Sequence, residues 1–147
     1  MSDGLALAPG ERYREGVTAA RWQDDPAQHP ALCELDRLHA ALVTPTPEAD
    51  GLFGRLKSLF ADDDTATPLG LYLWGDVGRG KTFLMDLFAA SLPHGVALRR
   101  HFHDFMAEVQ AELRRLGERQ NPLTEVAAGL AARCRVLCLD EFLVEDI

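Results

Sequence analysis

A glycine-rich segment at residues 75–82, GDVGRGKT, constrains the fold of this chain more than any other feature. It matches the pattern G-x-x-x-x-G-K-[S/T] at every fixed position. An apolar run at residues 69–74 precedes it and predicts a strand buried on both faces, and helical periodicity follows it. Because the loop amides and the helix N-terminus both present N–H groups, this order of elements predicts a site that cradles phosphates.

The loop residues have distinct expected roles. Only Lys57 and Lys81 are lysines among the 15 basic residues, so a lysine at this position supports the motif. We expect the compact charge of Lys81 to lie on the outer phosphates and the Thr82 hydroxyl to ligate Mg²⁺. The alternative is a glycine-rich turn without a ligand, which the flanking strand and helix disfavour. The predicted phosphate-binding residues are Gly75, Asp76, Val77, Gly78, Arg79, Gly80, Lys81 and Thr82.

A second candidate element is the segment VLCLDE at residues 136–141. Its apolar residues predict a buried strand that ends in an acidic pair, and ligands of open α/β sheets bind at that edge. We expect Asp140 to hold Mg²⁺ through water and Glu141 to act as a general base for an attacking water. The alternative is a capping aspartate followed by a surface glutamate.

The remaining pattern predicts helices before the loop and an α/β sheet after it. Residues 1–26 resemble a polar, irregular arm, and residues 26–43 predict a helix with Leu32, Leu35, Leu38 and Leu42 on one face. A second amphipathic stretch at 52–60 and an acidic linker at 62–68 follow. The predicted domains are therefore a helical segment, 1–67, and a domain of alternating strands and helices, 68–147.

Beyond the loop helix, the pattern predicts a strand over 96–103, a helix capped by Asp104, a helix over 121–133 with Leu123, Val126 and Leu130 inward, and a strand over 135–140. Strands that alternate with helices favour a parallel sheet. His101 and His103 would share one strand face, either as hydrogen-bonded residues or as a metal-binding pair for which no third ligand is evident. Arg99–Arg100 and Arg114–Arg115 are expected to be solvated charges, or one pair to line a subunit contact.

Composition excludes several classes of protein. The chain has 15 basic and 23 acidic residues, a net charge of −8, so we expect no broad attraction to nucleic acid or to an anionic membrane. The longest apolar stretch, 126–132, is too short for a transmembrane helix. The acidic start indicates neither a secretory signal nor a transit peptide. Cys33, Cys134 and Cys138 are expected to be reduced and buried, with a redox role for the last two as the alternative.

With both elements placed, the chain resembles the ZapE family of AAA+-like ATPases, which includes mitochondrial AFG-type relatives. The resemblance is carried by four blocks: GLYLWGDVGRGKTFLMDLF at 70–88, RHFHDFM at 100–106, NPL at 121–123 and LCLDEFLVEDI at 137–147. Residues 25–28, DPAQ, also resemble an early D-x-x-Q segment of the family. The implied fold is a P-loop NTPase of the AAA+ type, a parallel sheet flanked by helices and preceded by a short helical segment.

The resemblance implies function as well. It implies an ATPase that uses ATP and Mg²⁺ to remodel proteins, linked in bacteria to cell division at the FtsZ ring and in organelles to protein quality control. By position, residues 75–82 bind nucleotide, Asp140 and Thr82 hold Mg²⁺, and Glu141 and Lys81 are catalytic. Gln28 is expected to meet the adenine, with an ordinary polar residue opening a helix as the alternative. The acidic start favours a bacterial, cytoplasmic protein. The partners implied are ATP, the FtsZ division machinery and copies of the same chain, with a peripheral place at the membrane left open.

Family members continue well beyond residue 147, so we expect this chain to be an amino-terminal fragment with an incomplete sheet. In the AAA+ strand order a fourth strand lies between the first and the third. Without it and without an arginine finger, the 147 residues alone are expected to be inactive in hydrolysis. The alternative function is a nucleotide-dependent binding or regulatory module. A small-molecule phosphotransferase would need a substrate pocket and a lid that the sequence does not indicate.

Overall fold

The computed structural model of this chain describes residues 7–44 and 68–142. The chain divides into two compact units, Met1–Pro93 and His94–Ile147. The predicted helix at 52–60 and nearly all of the acidic linker lie outside the described residues. The elements are helices α1 Pro9–Thr18, α2 His29–Val43, α3 Lys81–Ser91, α4 Phe102–Leu116 and α5 Pro122–Arg133, a 3₁₀ turn at Pro26–Gln28, and strands β1 Ala97–His101 and β2 Val136–Asp140.

The irregular arm predicted for residues 1–26 is wrong where the structure describes it. Residues 9–18 form α1, with Pro9 at its first position and the Glu11 carboxylate accepting a bond from the Ala8 amide, 3.3 Å away. The buried face of α1 consists of Pro9, Gly10, Tyr13 and Gly16. Glycines carry no apolar side chain, so the helical period of this face is invisible in a hydrophobicity pattern.

The glycines of α1 allow other groups to approach it closely. A methyl group on residue 16 would collide with the Trp22 ring, which lies against the helix backbone. The Trp22 indole N–H donates to the Tyr13 carbonyl at 3.0 Å. The same ring meets Phe83 of α3 edge-on, with centroids 5.1 Å apart. Trp22 therefore joins α1 to the helix that follows the glycine-rich loop.

The helix predicted over residues 26–43 is confirmed as α2, preceded by the 3₁₀ turn. Its predicted apolar face, Leu32, Leu35, Leu38 and Leu42, is buried throughout. Two polar contacts add direction to this packing. The Asp36 carboxylate accepts a bond from the Gly10 amide at 2.7 Å, and His39, only 6% exposed, bonds the Ser91 carbonyl through Nε2 at 2.9 Å. Helix α2 thus contacts both α1 and α3.

The strand predicted for residues 69–74 does not form. Leu69 and Trp74 are 81% and 82% exposed, and Tyr72 is 67% exposed. A strand exists through hydrogen bonds to neighbouring strands. Among the described residues the only strands are β1 and β2, which pair with each other. In the described part of the chain, residues 69–74 therefore make no strand pairing.

The second unit contains the parallel sheet that the pattern predicts. Strands β1 and β2 pair in register from Ala97 opposite Val136 to His101 opposite Asp140. Helices α4 and α5 form the crossover between them, as parallel strands require. The apolar face predicted for α5 is only partly buried, because Val126 is buried but Leu123 is 64% exposed.

The transition from β1 to α4 occurs earlier than predicted. The strand ends at His101, which occupies the cap position of α4. His103 therefore lies on a helix, and the expected strand face shared by the two histidines does not exist. Asp104 lies in the first turn of α4 and is not its cap. An acidic side chain there still faces the positive end of the helix dipole.

The cysteines differ from one another in burial. Cys138 is buried in β2, whereas Cys33 is exposed, against the expectation that all three are buried. All three are free thiols, and burial raises the pKa of the Cys134 thiol above its ordinary value. Within the described ranges, no helix combines the length and apolar character needed to cross a membrane.

One glycine substitution tests the packing of α1, and a second in α5 is its control. Gly16→Ala should lower the free energy of unfolding by about 1–3 kcal/mol, because the new methyl overpacks the Trp22 contact. Gly129→Ala in α5, where a methyl meets nothing within 4 Å, should raise it by roughly 0.5–1 kcal/mol through helix propensity. Urea unfolding followed by far-ultraviolet circular dichroism measures both. If Gly16→Ala stabilised the protein as much as Gly129→Ala, the packing of Trp22 on α1 would be wrong.

Candidate functional site

The loop at residues 75–82 depends on backbone conformations that favour glycine. Gly78 and Gly80 both have φ of 84°, in the left-handed region. A side chain at either position would strain the backbone by about 1–2 kcal/mol. The fixed glycine at position 80 thus turns the chain into α3, which begins at the next residue.

Lys81 closes the loop on itself. Its ammonium donates to the Gly75 carbonyl at 2.6 Å and to the Asp76 carbonyl at 2.8 Å. These bonds join the first helical residue to the start of the loop. The charge that the motif supplies is consequently held at the loop backbone, where phosphate oxygens would gain an ion pair.

The N-terminus of α3 supplies further positive potential. Gly80 occupies its cap position and contributes no side-chain cap, while its carbonyl accepts the first helical bond from Leu84 at 2.9 Å. The first-turn amides of a helix have no acceptor within the helix, and the helix dipole favours an anion at this end. Thr82 is exposed in this turn. Its hydroxyl is a hard oxygen ligand of the kind Mg²⁺ prefers.

Gln28 is the one predicted site residue from the N-terminal segment, and the structure brings it to the loop. Its side-chain Nε2 donates to the Arg79 carbonyl at 3.1 Å. A methyl group on residue 80 would collide with the same Nε2. The contact therefore lies on the loop backbone, and the expected adenine contact of Gln28 stays a prediction.

Asp140 ends β2 in the second unit, as predicted. Its side chain is 15% exposed. One carboxylate oxygen accepts a bond from Arg99 Nη2 at 3.1 Å, and the other accepts a bond from the Glu141 amide at 2.9 Å. The expectation that Arg99 and Arg100 are solvated charges is wrong, since Arg100 also pairs, with Glu108 at 2.9 Å. The sequence patterns alone do not assign Arg99 to the site. Arg99 lies on β1, which pairs with β2, two residues before the position opposite Asp140. That position on the neighbouring strand is the signal that could have identified it.

Glu141 has an unusual backbone for a residue with a side chain. Its φ is 54°, in the left-handed region that few residues other than glycine adopt. The Asp140 carboxylate bonds the Glu141 amide and so supports this conformation. Strained residues of this kind are concentrated at functional sites. The backbone of the exposed Glu141 is thus held immediately after the strand end.

Each unit contains donor groups that suit one of the predicted ligands. In the first unit, the glycine-rich backbone, Lys81 and the N-terminus of α3 suit phosphate groups, and the Thr82 hydroxyl is an oxygen ligand of the kind that Mg²⁺ prefers. The Asp140 carboxylate in the second unit offers oxygens of the same kind. Thr82 belongs to the first unit and Asp140 to the second. Among residues 7–44 and 68–142, no group of three or more histidine, cysteine or acidic side chains could hold a metal ion, so the alternative of a histidine metal site gains no support.

A short parallel sheet with helices and a glycine-rich loop before a helix place this chain among α/β proteins. The chain belongs to the AFG1-like ATPase family, whose model matches residues 7–147. The predicted membership of this ATPase family is therefore confirmed.

Individual relatives extend this result. The chain is 40% identical to the cell division protein ZapE of Escherichia coli K12, over 97% of this chain and 40% of that protein. It is 34% identical to an uncharacterised protein of Schizosaccharomyces pombe, over 95% of this chain and 37% of the other. The chain thus spans about 40% of the length of the Escherichia coli and Schizosaccharomyces pombe relatives. No solved structure matches it.

The two left-handed glycines give a matched test of the loop. Gly78→Ala should lower the free energy of unfolding by about 1–2 kcal/mol through backbone strain alone, since its methyl meets nothing within 4 Å. Gly80→Ala should cost a further ~1 kcal/mol, because its methyl displaces the Gln28 amide from the Arg79 carbonyl. Urea unfolding measures both. In a Gln28→Ala background, Gly80→Ala and Gly78→Ala should destabilise the protein equally. If Gly80→Ala still cost more there, the contact between Gln28 and residue 80 would not be the cause.

Proposed function

We propose that the intact protein is a Mg²⁺-dependent ATPase that remodels a protein partner in bacterial cell division. The observation that carries this proposal is the loop at residues 75–82, with two left-handed glycines, a lysine bonded to the loop start and an uncapped helix N-terminus. Membership of the AFG1-like ATPase family supports it.

In this proposal the loop residues, Gly75 to Thr82, hold the phosphates through backbone amides and Lys81. Bound Mg²⁺ would neutralise charge on the phosphate oxygens. Thr82 and Asp140 are its proposed holders, Asp140 through water. Glu141 takes a proton from the attacking water, and its exposure at the end of β2, on a backbone held by the Asp140 carboxylate, supports this role.

Arg99 has a place in this arrangement as well. Its guanidinium bonds one Asp140 oxygen, which limits the directions in which the carboxylate can face. Charge-assisted bonds of this kind are stronger than neutral ones. We infer that Arg99 orients Asp140 toward its water ligands.

The wider assignment rests on the relatives and on charge. The E. coli relative is described as a cell division protein, which supports a role in division, and the earlier resemblance points to the FtsZ machinery. A cytoplasmic bacterial location, self-association and the absence of nucleic-acid binding are proposed with it, the last from the net charge of −8. We propose residues 68–147 as the start of the ATPase domain and residues 1–67 as its helical extension, attached where α1 and α2 pack on α3.

The first functional prediction concerns Lys81. Lys81→Ala in the intact protein should weaken ATP binding by about 1.5–3 kcal/mol, roughly 10- to 150-fold, because it removes a charge-assisted contact. Titration with a fluorescent ATP analogue measures this change. Lys57→Ala, at the other lysine of the chain, is the control and should bind normally. Unchanged affinity in Lys81→Ala would remove the loop from the nucleotide site.

The second functional prediction concerns the acidic pair Asp140 and Glu141. Glu141→Gln keeps the shape of the side chain and should retain ATP affinity within about twofold while turnover falls roughly 10²- to 10⁴-fold. Asp140→Asn should also weaken Mg²⁺-dependent binding. Phosphate release and ATP titration measure the two effects, with the exposed Glu118→Gln as control. If Glu141→Gln hydrolysed ATP at the rate of the unmodified protein, Glu141 would not be the general base. If the unmodified intact protein bound ATP without hydrolysing it, the alternative function, a nucleotide-dependent binding or regulatory module, would be favoured.

A further inference from the structure

We propose that Gln28 is a positioning residue for the phosphate-binding loop, acting through the peptide that joins Arg79 to Gly80. The inference rests on the proposed function, since it assigns Gln28 a task in binding phosphates. The contact is direct: Gln28 Nε2 donates to the Arg79 carbonyl at 3.1 Å and lies where a side chain on residue 80 would be.

The geometry of the peptide group gives this bond its consequence. In a trans peptide the carbonyl and the following N–H point in opposite directions, and the described chain has no cis peptide. While Gln28 holds the Arg79 carbonyl, the Gly80 N–H faces away from Gln28. If this peptide group turned over, the Arg79 carbonyl and the Gly80 N–H would exchange directions. An anion in the loop would then meet a carbonyl oxygen that repels it in place of an N–H donor.

Glycine at position 80 makes this reversal easy, because glycine adopts positive and negative φ about equally well. The observed φ of 84° is one of several conformations open to this residue. A loop without a bond to the Arg79 carbonyl would therefore spend part of its time in conformations that cannot bind phosphate. Apparent affinity falls in proportion to the fraction of competent loop.

The backbone that carries Gln28 is held in place by neighbouring hydrogen bonds. It ends the 3₁₀ turn and occupies the cap position of α2. The Asp25 side chain caps that turn by accepting a bond from the Ala27 amide at 3.0 Å, and the Asp25 amide donates to the Tyr13 hydroxyl at 2.8 Å. Tyr13 is 2% exposed in the packing between α1 and its neighbours. A fixed path therefore runs from the helical core to the loop backbone.

A positioning role and an adenine contact predict different ligand dependence. A residue that orients the loop affects every ligand that carries the phosphates, whatever the base. A residue that contacts adenine affects only ligands with that base. Comparing ATP with inorganic triphosphate therefore separates the two roles.

The test uses Gln28→Met in the intact protein, since methionine has a similar length and volume but no strong donor. ATP and inorganic triphosphate should both bind about threefold to tenfold more weakly, as loss of one hydrogen bond allows. KM for ATP should rise by the same factor with kcat within twofold, because binding selects the competent loop. Gln23→Met, an exposed glutamine of the same segment, is the control and should change neither constant. Thermal unfolding of both variants checks that the fold is intact.

Several outcomes would overturn the inference. Unchanged ATP affinity in Gln28→Met would show that the bond does not set the loop. A loss for ATP without a matching loss for triphosphate would assign Gln28 to the adenine, and ITP replaces triphosphate if the latter competes too weakly to measure. Lys81→Ala in the same series keeps the failures apart: if it also bound ATP normally, the proposed function itself would fail.

Discussion

The packing of α3 against the N-terminal helices is the interaction on which the first unit depends. Trp22 lies on Gly16 of α1 and meets Phe83 of α3, while His39 of α2 bonds the Ser91 carbonyl at the other end of α3. The helix that carries the lysine and threonine of the loop is thus held near both ends. An anion site built on a helix N-terminus is only as fixed as that helix, so this packing determines how well the loop is placed.

The loop adds a second constraint, which concerns its backbone. Its glycines permit the turn but do not select one conformation, because glycine is permissive. Selection comes from groups outside the glycines, namely Lys81 on the Gly75 and Asp76 carbonyls and Gln28 on the Arg79 carbonyl. The N-terminal segment therefore contributes to the site directly, beyond its contribution to the core.

The second unit achieves a fixed acidic site in a different way. Parallel pairing of β1 with β2 brings Arg99 within reach of Asp140, and the Asp140 carboxylate in turn supports the left-handed backbone of Glu141. One strand pair thus orders the Arg99 and Asp140 side chains and the backbone of Glu141. Their arrangement needs only the register, which explains how a sheet of two strands can hold it.

Much of this fold could be predicted from local sequence patterns. The bounds of α2, α3 and α5 and the place of β2 follow from apolar spacing, proline and glycine positions. Helix α1 could not be predicted in this way, because glycines form half of its buried face. The strand expected at residues 69–74 failed for the opposite reason, since its apolar residues specify a buried position that only a neighbouring strand can provide.

By itself, the sequence determined the family, the position of the glycine-rich loop before a helix, and the acidic pair at a strand end, because these depend on residue types at short, fixed spacing. Only the tertiary structure decided the partners of these residues. Gln28 and Arg79 are 51 positions apart, and Arg99 and Asp140 are 41 apart. Contacts over such separations depend on how helices and strands pack, and no local pattern records which distant side chain will arrive.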